Sequence, residues 1–147
     1  MKQQILHRYK EILQDKIDVF RDMISELTVD AQNDAKGSAG DKHETALSMM
    51  QLEQEKLNHK LKEILTQKNI INKIDANAKH AKIALGSLVQ TNGMSLFISA
   101  ALPKITVDNK TIIAVSPQSP LGSKLIGNGV GFEFEINGSK YLIETIQ

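Results

Sequence analysis

The sequence contains no cysteine and no tryptophan, and its aromatics are limited to two tyrosines and four phenylalanines. Without cysteine there is no disulfide framework, no Cys-ligated zinc, no iron–sulfur cluster and no thiol nucleophile. The absence suits a reducing compartment. Scarce aromatics argue against a large compact core and against stacking platforms for nucleic acid. They suit an elongated helical object with a small second lobe. Charge of one sign is also missing: 18 Lys and Arg face 17 Asp and Glu, for a formal charge of +1. That balance excludes a generic polybasic coat for nucleic acid or membrane. No apolar run approaches the roughly 20 residues of a membrane span. The start, Met1-Lys2-Gln3-Gln4-Ile5, lacks the apolar stretch of a signal peptide. The expectation is a soluble cytoplasmic protein with no membrane partner. What remains is 147 residues, 41% hydrophobic and 24% charged, enough for one ordinary domain or two small ones.

Glycine divides the chain. Residues 1–79 hold only Gly37 and Gly40, whereas residues 86–138 hold the other seven and all three prolines. The composition changes near Ala84-Leu85-Gly86, which places a boundary between about residues 74 and 85. In the first part Leu13, Ile17, Phe20, Ile24, Leu27 and Ala31 recur at spacings of 4 and 3. So do Leu47, Met50, Gln54, Leu57, Leu61, Ile64, Lys68 and Ile71, with Gln54 and Lys68 as polar interruptions. Each run is the a/d seam of a coiled coil. The segment from Asn33 to Asp41 carries both glycines and is the one plausible break. Two similar arms with a short connection predict an antiparallel hairpin over 1–79.

The second part changes period. Strands are expected over Leu85 to Gln90, Met94 to Ala100, Thr111 to Ser116, Gly131 to Ile136 and Lys140 to Ile146. Phe132, Phe134 and Ile136 alternate with Glu133 and Glu135, as a half-buried strand requires. Asn137-Gly138 then predicts a tight hairpin into Lys140-Tyr141-Leu142-Ile143. Ser119 to Gly127 reads as a short helix, with Ser119 as N-cap, Pro120 at the first position and Gly127 past the end. Residues 80–147 thus form a small antiparallel β-sheet lobe with one short helix, and the class is α+β.

Charge segregates along the hairpin. Residues 11–55 carry a net −7, residues 1–10 a net +3, and residues 56–82 a net +5. Solvated outer positions of a coiled coil account for individual charges. Their segregation suggests a probe, with a basic shaft along nucleic-acid phosphates and an acidic tip near 33–45 reaching a divalent metal. At the tip, Asp41 and Glu44 are three residues apart. One reading makes Asp41 an N-cap and Glu44 its capping-box acid. The other makes them two exposed carboxylates that complete a Mg²⁺ site supplied by a partner. His43 beside them is a weak ligand candidate. His7, His59 and His80 read as surface residues. Gly127, Gly129 and Gly131 lack the Lys-Ser/Thr of a phosphate loop.

These residues together resemble the Gre family of bacterial transcript cleavage factors. Ile113-Ala114-Val115-Ser116, Ser119-Pro120-Leu121-Gly122, then Leu125-Ile126-Gly127 and Val130-Gly131 are similar to the family's C-terminal lobe. Leu85-Gly86-Ser87-Leu88-Val89 and Lys140-Tyr141-Leu142-Ile143 resemble its first and last strands. At the tip the family shows Gly-Asp-Leu-Ser-Glu-Asn-Ala; this chain shows Gly40-Asp41-Lys42-His43-Glu44-Thr45-Ala46. Departures are Lys42, His43 and Thr45, Leu47-Ser48 where Glu-Tyr is usual, and Phe132 where an Asp is usual.

The resemblance implies an antiparallel coiled coil joined to an FKBP-like lobe. It implies a transcription elongation factor rather than an enzyme. The lobe, with Ser119, Pro120, Leu121 and Gly122 as partner-binding residues, would dock on RNA polymerase at the rim of the secondary channel. The coiled coil would enter that channel and meet the 3′ end of backtracked RNA. Asp41 and Glu44 would help place a Mg²⁺ that is bound only in that complex, so that the polymerase cuts its own transcript. The factor would act as a monomer. Two alternatives stand beside this: the same architecture as a channel-plugging regulator without cleavage, and a coiled-coil adaptor or chaperone unconnected with transcription.

Overall fold

Helix α1 runs from Lys2 to Ala35 and α2 from Asp41 to Lys73. Neither contains proline or glycine, and each keeps its 4–3 apolar spacing to the end. A computed structural model describes residues 1–35 and 41–147, and the side chains of 34–35 and 41–43 lie outside the described set. Beyond Lys73 the chain leaves the helix through an Asx turn. The Asn77 amide donates to the Asp75 carboxylate at 2.9 Å, and the Ala78 amide to the Asp75 carbonyl at 3.2 Å.

Contacts divide the chain into two compact units, Met1–Lys10 with Asn69–Gln147, and Glu11–Lys68. In the Glu11–Lys68 unit the helices run antiparallel. Gln54 Nε2 donates to Thr28 Oγ1 at 2.7 Å, and Lys68 Nζ donates to Gln14 Oε1. In both pairs the residue numbers add to 82, as two helices of opposite direction in constant register require. Leu13, Ile17, Leu57 and Ile64 are buried between them. Toward the turn the seam thins, and Ile24, Leu27 and Ala31 are only half-buried.

The other unit is built on a six-stranded sheet. Its strands are β1 (Leu88–Thr91), β2 (Ser95–Ile98), β3 (Ile105–Val107), β4 (Lys110–Val115), β5 (Glu133–Ile136) and β6 (Ser139–Ile146), in the order β3-β4-β2-β1-β6-β5. A short helix α3 (Pro120–Leu125) lies between β4 and β5 in sequence. The α+β class expected from the sequence holds. Asn137 and Gly138 both take positive φ, and β5 and β6 pair antiparallel around them.

Two features depart from the expected sheet. Strand β3 had no counterpart in the expected set. The sheet is also mixed rather than wholly antiparallel, because β2 and β4 are parallel. One turn explains both. Asp108 and Asn109 have φ of 50° and 63°, the paired positive values of a type I′ turn. They close a β3–β4 hairpin whose second strand lies inward, beside β2. A hairpin added with its return strand inward lays that strand parallel to its neighbour.

The central strands are buried on both faces, as the alternation of side chains allows. Leu96 and Ile98 of β2 join Val89, Val115, Leu125, Phe134 and Ile143 in one cluster. Phe97, between them in sequence, takes the opposite face and stacks on Tyr9 of α1 with ring centroids 6.3 Å apart. The Tyr9 hydroxyl donates to the Pro103 carbonyl at 2.9 Å. Both rings are fully buried, and burial pushes the Tyr9 phenol up to about 12.

Candidate functional site

The helix register locates the start of α2 relative to the end of α1. Pairs that add to 82 set Ala35 level with Leu47, so α2, which begins at Asp41, starts beyond the last residue of α1. Of the two tip acids picked out in the sequence, Glu44 lies in the first turn of α2 and is exposed. The side chains of Asp41, Lys42 and His43 lie outside the described residues. In α2, positions 41 and 44 are three apart and so share a face. Among the described residues no group of three or more His, Asp or Glu comes together as a metal site. Two carboxylates at most, with the rest of the shell from elsewhere, fit Mg²⁺ only as a shared ligand.

The polar interruptions of the seam have partners. Gln54 and Lys68 occupy seam positions of α2, and each reaches the residue just past a seam leucine of α1, Thr28 after Leu27 and Gln14 after Leu13. Thr28 donates in turn to the Ile24 carbonyl at 2.8 Å, and Gln14 donates to Asp18 at 2.9 Å. Each half-buried polar group is therefore satisfied within the hairpin.

The Ser119-Pro120-Leu121-Gly122 segment builds the start of α3. Ser119 is the N-cap: its Oγ accepts from the Gly122 amide at 3.0 Å and donates to the Ser116 carbonyl at 2.7 Å. Pro120 takes the first helical turn, where no N–H is needed. Leu121 packs against the sheet's apolar cluster. Gly122 is buried so close to the preceding loop that a Cβ would lie 1.9 Å from the Ser116 carbonyl oxygen. Of these four, Pro120 alone is exposed. Nearby, exposed Ile126 and Val130 flank the backbone pairing of Ile83 with Gly127 and Asn128.

One polar cluster was not foreseen. Lys2 is only 5% exposed, and its Nζ donates to the Ala78 carbonyl at 2.8 Å. Burial lowers its pKa, and the Asp75 carboxylate opposes that shift. His80, expected at the surface, is half-buried, with Nδ1 2.6 Å from Oγ of fully buried Ser87. Ser87 Oγ also accepts from the Ala84 amide at 2.9 Å. Burial first, and the Lys2 ammonium second, hold the His80 pKa below its ordinary value. Its only sequence trace is a basic residue, Lys2, followed by apolar Ile5 and Leu6.

Fold and site together define a class: an α+β protein with an antiparallel helical hairpin and a mixed-sheet lobe. Among the described residues no helix is long and apolar enough to cross a membrane. No family model and no curated protein matches the chain. Among solved structures, it is similar to that of the transcription factor Gfh1, with 18% identity over 93% of this chain and 92% of the other, at a TM-score of 0.35.

Proposed function

We propose that the chain is a transcription factor of the Gre type that acts on RNA polymerase. The observation that carries this reading is the coincidence of register and motif. The register sets Ala35, the end of α1, level with Leu47, so the start of α2, where Asp41 and Glu44 match the family's tip, runs past α1. The Ser119–Gly122 segment, the most specific part of the resemblance, supports it with the capped turn such a motif builds. In this reading the factor is not itself an enzyme. Its hairpin enters the polymerase secondary channel, its lobe holds the rim, and it works in the cytoplasm.

Asp41 and Glu44 would share a Mg²⁺ with polymerase ligands. The ion, when bound, would supply positive charge to the attacking water and the cleaved phosphodiester. The chain's own part is to deliver two carboxylates on one helical face to backtracked RNA. Helix α2 fixes their spacing, and the paired Gln54 and Lys68 fix how far they extend past α1.

The test is RNA cleavage in a stalled, backtracked elongation complex with Mg²⁺. The chain is expected to accelerate release of short 3′ fragments, and Asp41→Asn with Glu44→Gln to abolish it while polymerase binding persists. Full stimulation by the double variant would overturn the site. Binding without stimulation by the wild type would make the chain a channel-plugging regulator. No binding would leave the adaptor reading.

A further inference from the structure

We propose that the cavity at the start of α1 is a binding site for a phosphate group, free or at the end of a small phosphomonoester. The inference rests on Lys2 and its surroundings and does not depend on the transcriptional reading.

Lys2 is a buried cation without a counter-ion. The residue is only 5% exposed, and its ammonium carries three protons. One is donated to the Ala78 carbonyl at 2.8 Å. Among the described residues no carboxylate, the one that ends the chain included, comes within ion-pair distance of Nζ. Asp75 acts on Lys2 only through its charge. Its carboxylate accepts from the Asn77 amide and lines a neighbouring cavity with His7 and Lys10. Buried charges are ordinarily paired, because a lone one loses its hydration without compensation. Here two protons and the positive charge are left over.

Lys2 also lines an open space. A cavity of about 520 Å³ has Gln3, Asn77, Lys79, Ile146 and Gln147 among its other walls. Two cations and three side-chain amides face it, and no Asp or Glu does. Gln3 Nε2 donates to Asn77 Oδ1 at 3.3 Å, which leaves the Asn77 amide protons as donors.

The helix adds further donors at the same place. Helix α1 begins at Lys2 and runs for 34 residues. The amides of its first turn have no partner within the helix, and they carry the positive end of its dipole. A tetrahedral oxyanion has the charge that Lys2 lacks and enough acceptors for ammonium, amide and helix-end donors together. The space is larger than a phosphate alone, so it also admits a small group esterified to one. Occupancy has a second effect. The Lys2 charge, after burial, is what holds the His80 pKa down, and a bound phosphate neutralises it.

Calorimetric titration of the full chain tests the proposal, with inorganic phosphate and, separately, glycerol phosphate at constant low ionic strength. A Kd of about 1–10 mM is expected, and the tighter ligand identifies the source of the phosphate group. Lys2→Met, which keeps a buried stem and drops the charge, should weaken binding about tenfold or more. Lys79→Gln, at an exposed position, should weaken it about threefold. Far-UV circular dichroism checks that both variants keep their helices. In the wild type, the His80 ring followed by NMR should titrate at higher pH in phosphate than in chloride. A Lys2→Met variant that binds as the wild type does would overturn the proposal. So would the absence of heat with either ligand up to about 50 mM together with an unmoved His80 titration.

Discussion

Gln54 of α2 donates to Thr28 of α1 at 2.7 Å, and Lys68 repeats the relationship with Gln14 two heptads further along. In a seam of leucine and isoleucine, any shift by a heptad still buries apolar groups. The two polar contacts distinguish the observed register from the slip that would set Gln54 against Ala35 and Lys68 against Arg21, neither of which accepts a hydrogen bond.

Replacing Gln54 and Lys68 with leucine should thus leave thermal stability equal or higher while loosening the register. The chain's lack of cysteine makes this measurable. Cysteines at Arg21 and Leu61 occupy the heptad between the two polar contacts and share their geometry. They should form a disulfide readily in the wild-type background. The yield should fall, with slipped species appearing, when Gln54→Leu and Lys68→Leu are added. An unchanged yield would show that apolar packing alone sets the register.

Gly122→Ala should be the most damaging single methyl group in the lobe. The added Cβ would meet the Ser116 carbonyl oxygen at 1.9 Å, and backbone on both sides must move. A loss of about 3 kcal/mol is expected, at the upper end for overpacking. Gly127→Ala, whose Cβ would meet nothing within 4 Å, is a control that carries only the strain of a positive φ, about 1 kcal/mol. Urea unfolding of the two variants compares them directly.

His80 predicts an acid limb of stability. Its folded pKa lies below that of the unfolded chain, so the unfolded state binds the proton more readily. Stability from this group is fully present above about pH 6.5 and falls as pH drops below that value. The Lys2 ammonium adds to burial in opposing the imidazolium. His80→Gln, which keeps a polar side chain next to Ser87 without titrating, should flatten the dependence of Tm between pH 7 and 5, in the range where an ordinary imidazole titrates.

Tyr9 predicts an alkaline counterpart. Its phenol is raised to about 12, above the ordinary value near 10, so stability falls as pH climbs through that interval. Tyr9→Phe removes the hydroxyl donated to Pro103. It should cost about 1 kcal/mol at neutral pH and lessen the alkaline loss. Equal steepness in both proteins above pH 10 would assign the alkaline limb elsewhere.

Much of this was legible before any coordinates. The 4–3 spacing from Leu13 and from Leu47 gave both long helices, and Asn137-Gly138 gave its hairpin. Ser119-Pro120 gave the start of α3. These signals are local, fixed by periodicity or by backbone angles that few residues tolerate. Strand β3 escaped because Ile105-Thr106-Val107 is too short for an alternation to declare itself. The parallel β2–β4 pairing escaped because strand order is a matter of return direction rather than composition. Gln54 and Lys68 announced themselves as polar seam residues, but their partners Thr28 and Gln14 lie 26 and 54 residues away. His80 was read as a surface residue because nothing in its sequence neighbourhood reveals a buried serine seven positions on.

The stacking of Tyr9 on Phe97 has a bearing on synthesis. The hydroxyl's partner, Pro103, lies 94 residues further along the chain. At a rate of 5–20 residues per second, roughly 5–20 seconds pass between the emergence of the first turns of α1 and that of the strand that covers them. During that interval Ile5, Leu6 and Tyr9 are an uncovered apolar stripe on a nascent helix. The hairpin can zip locally as soon as α2 emerges, but closure of the sheet's second face waits for the lobe. Truncated or slowly translated chains are expected to be the sticky ones.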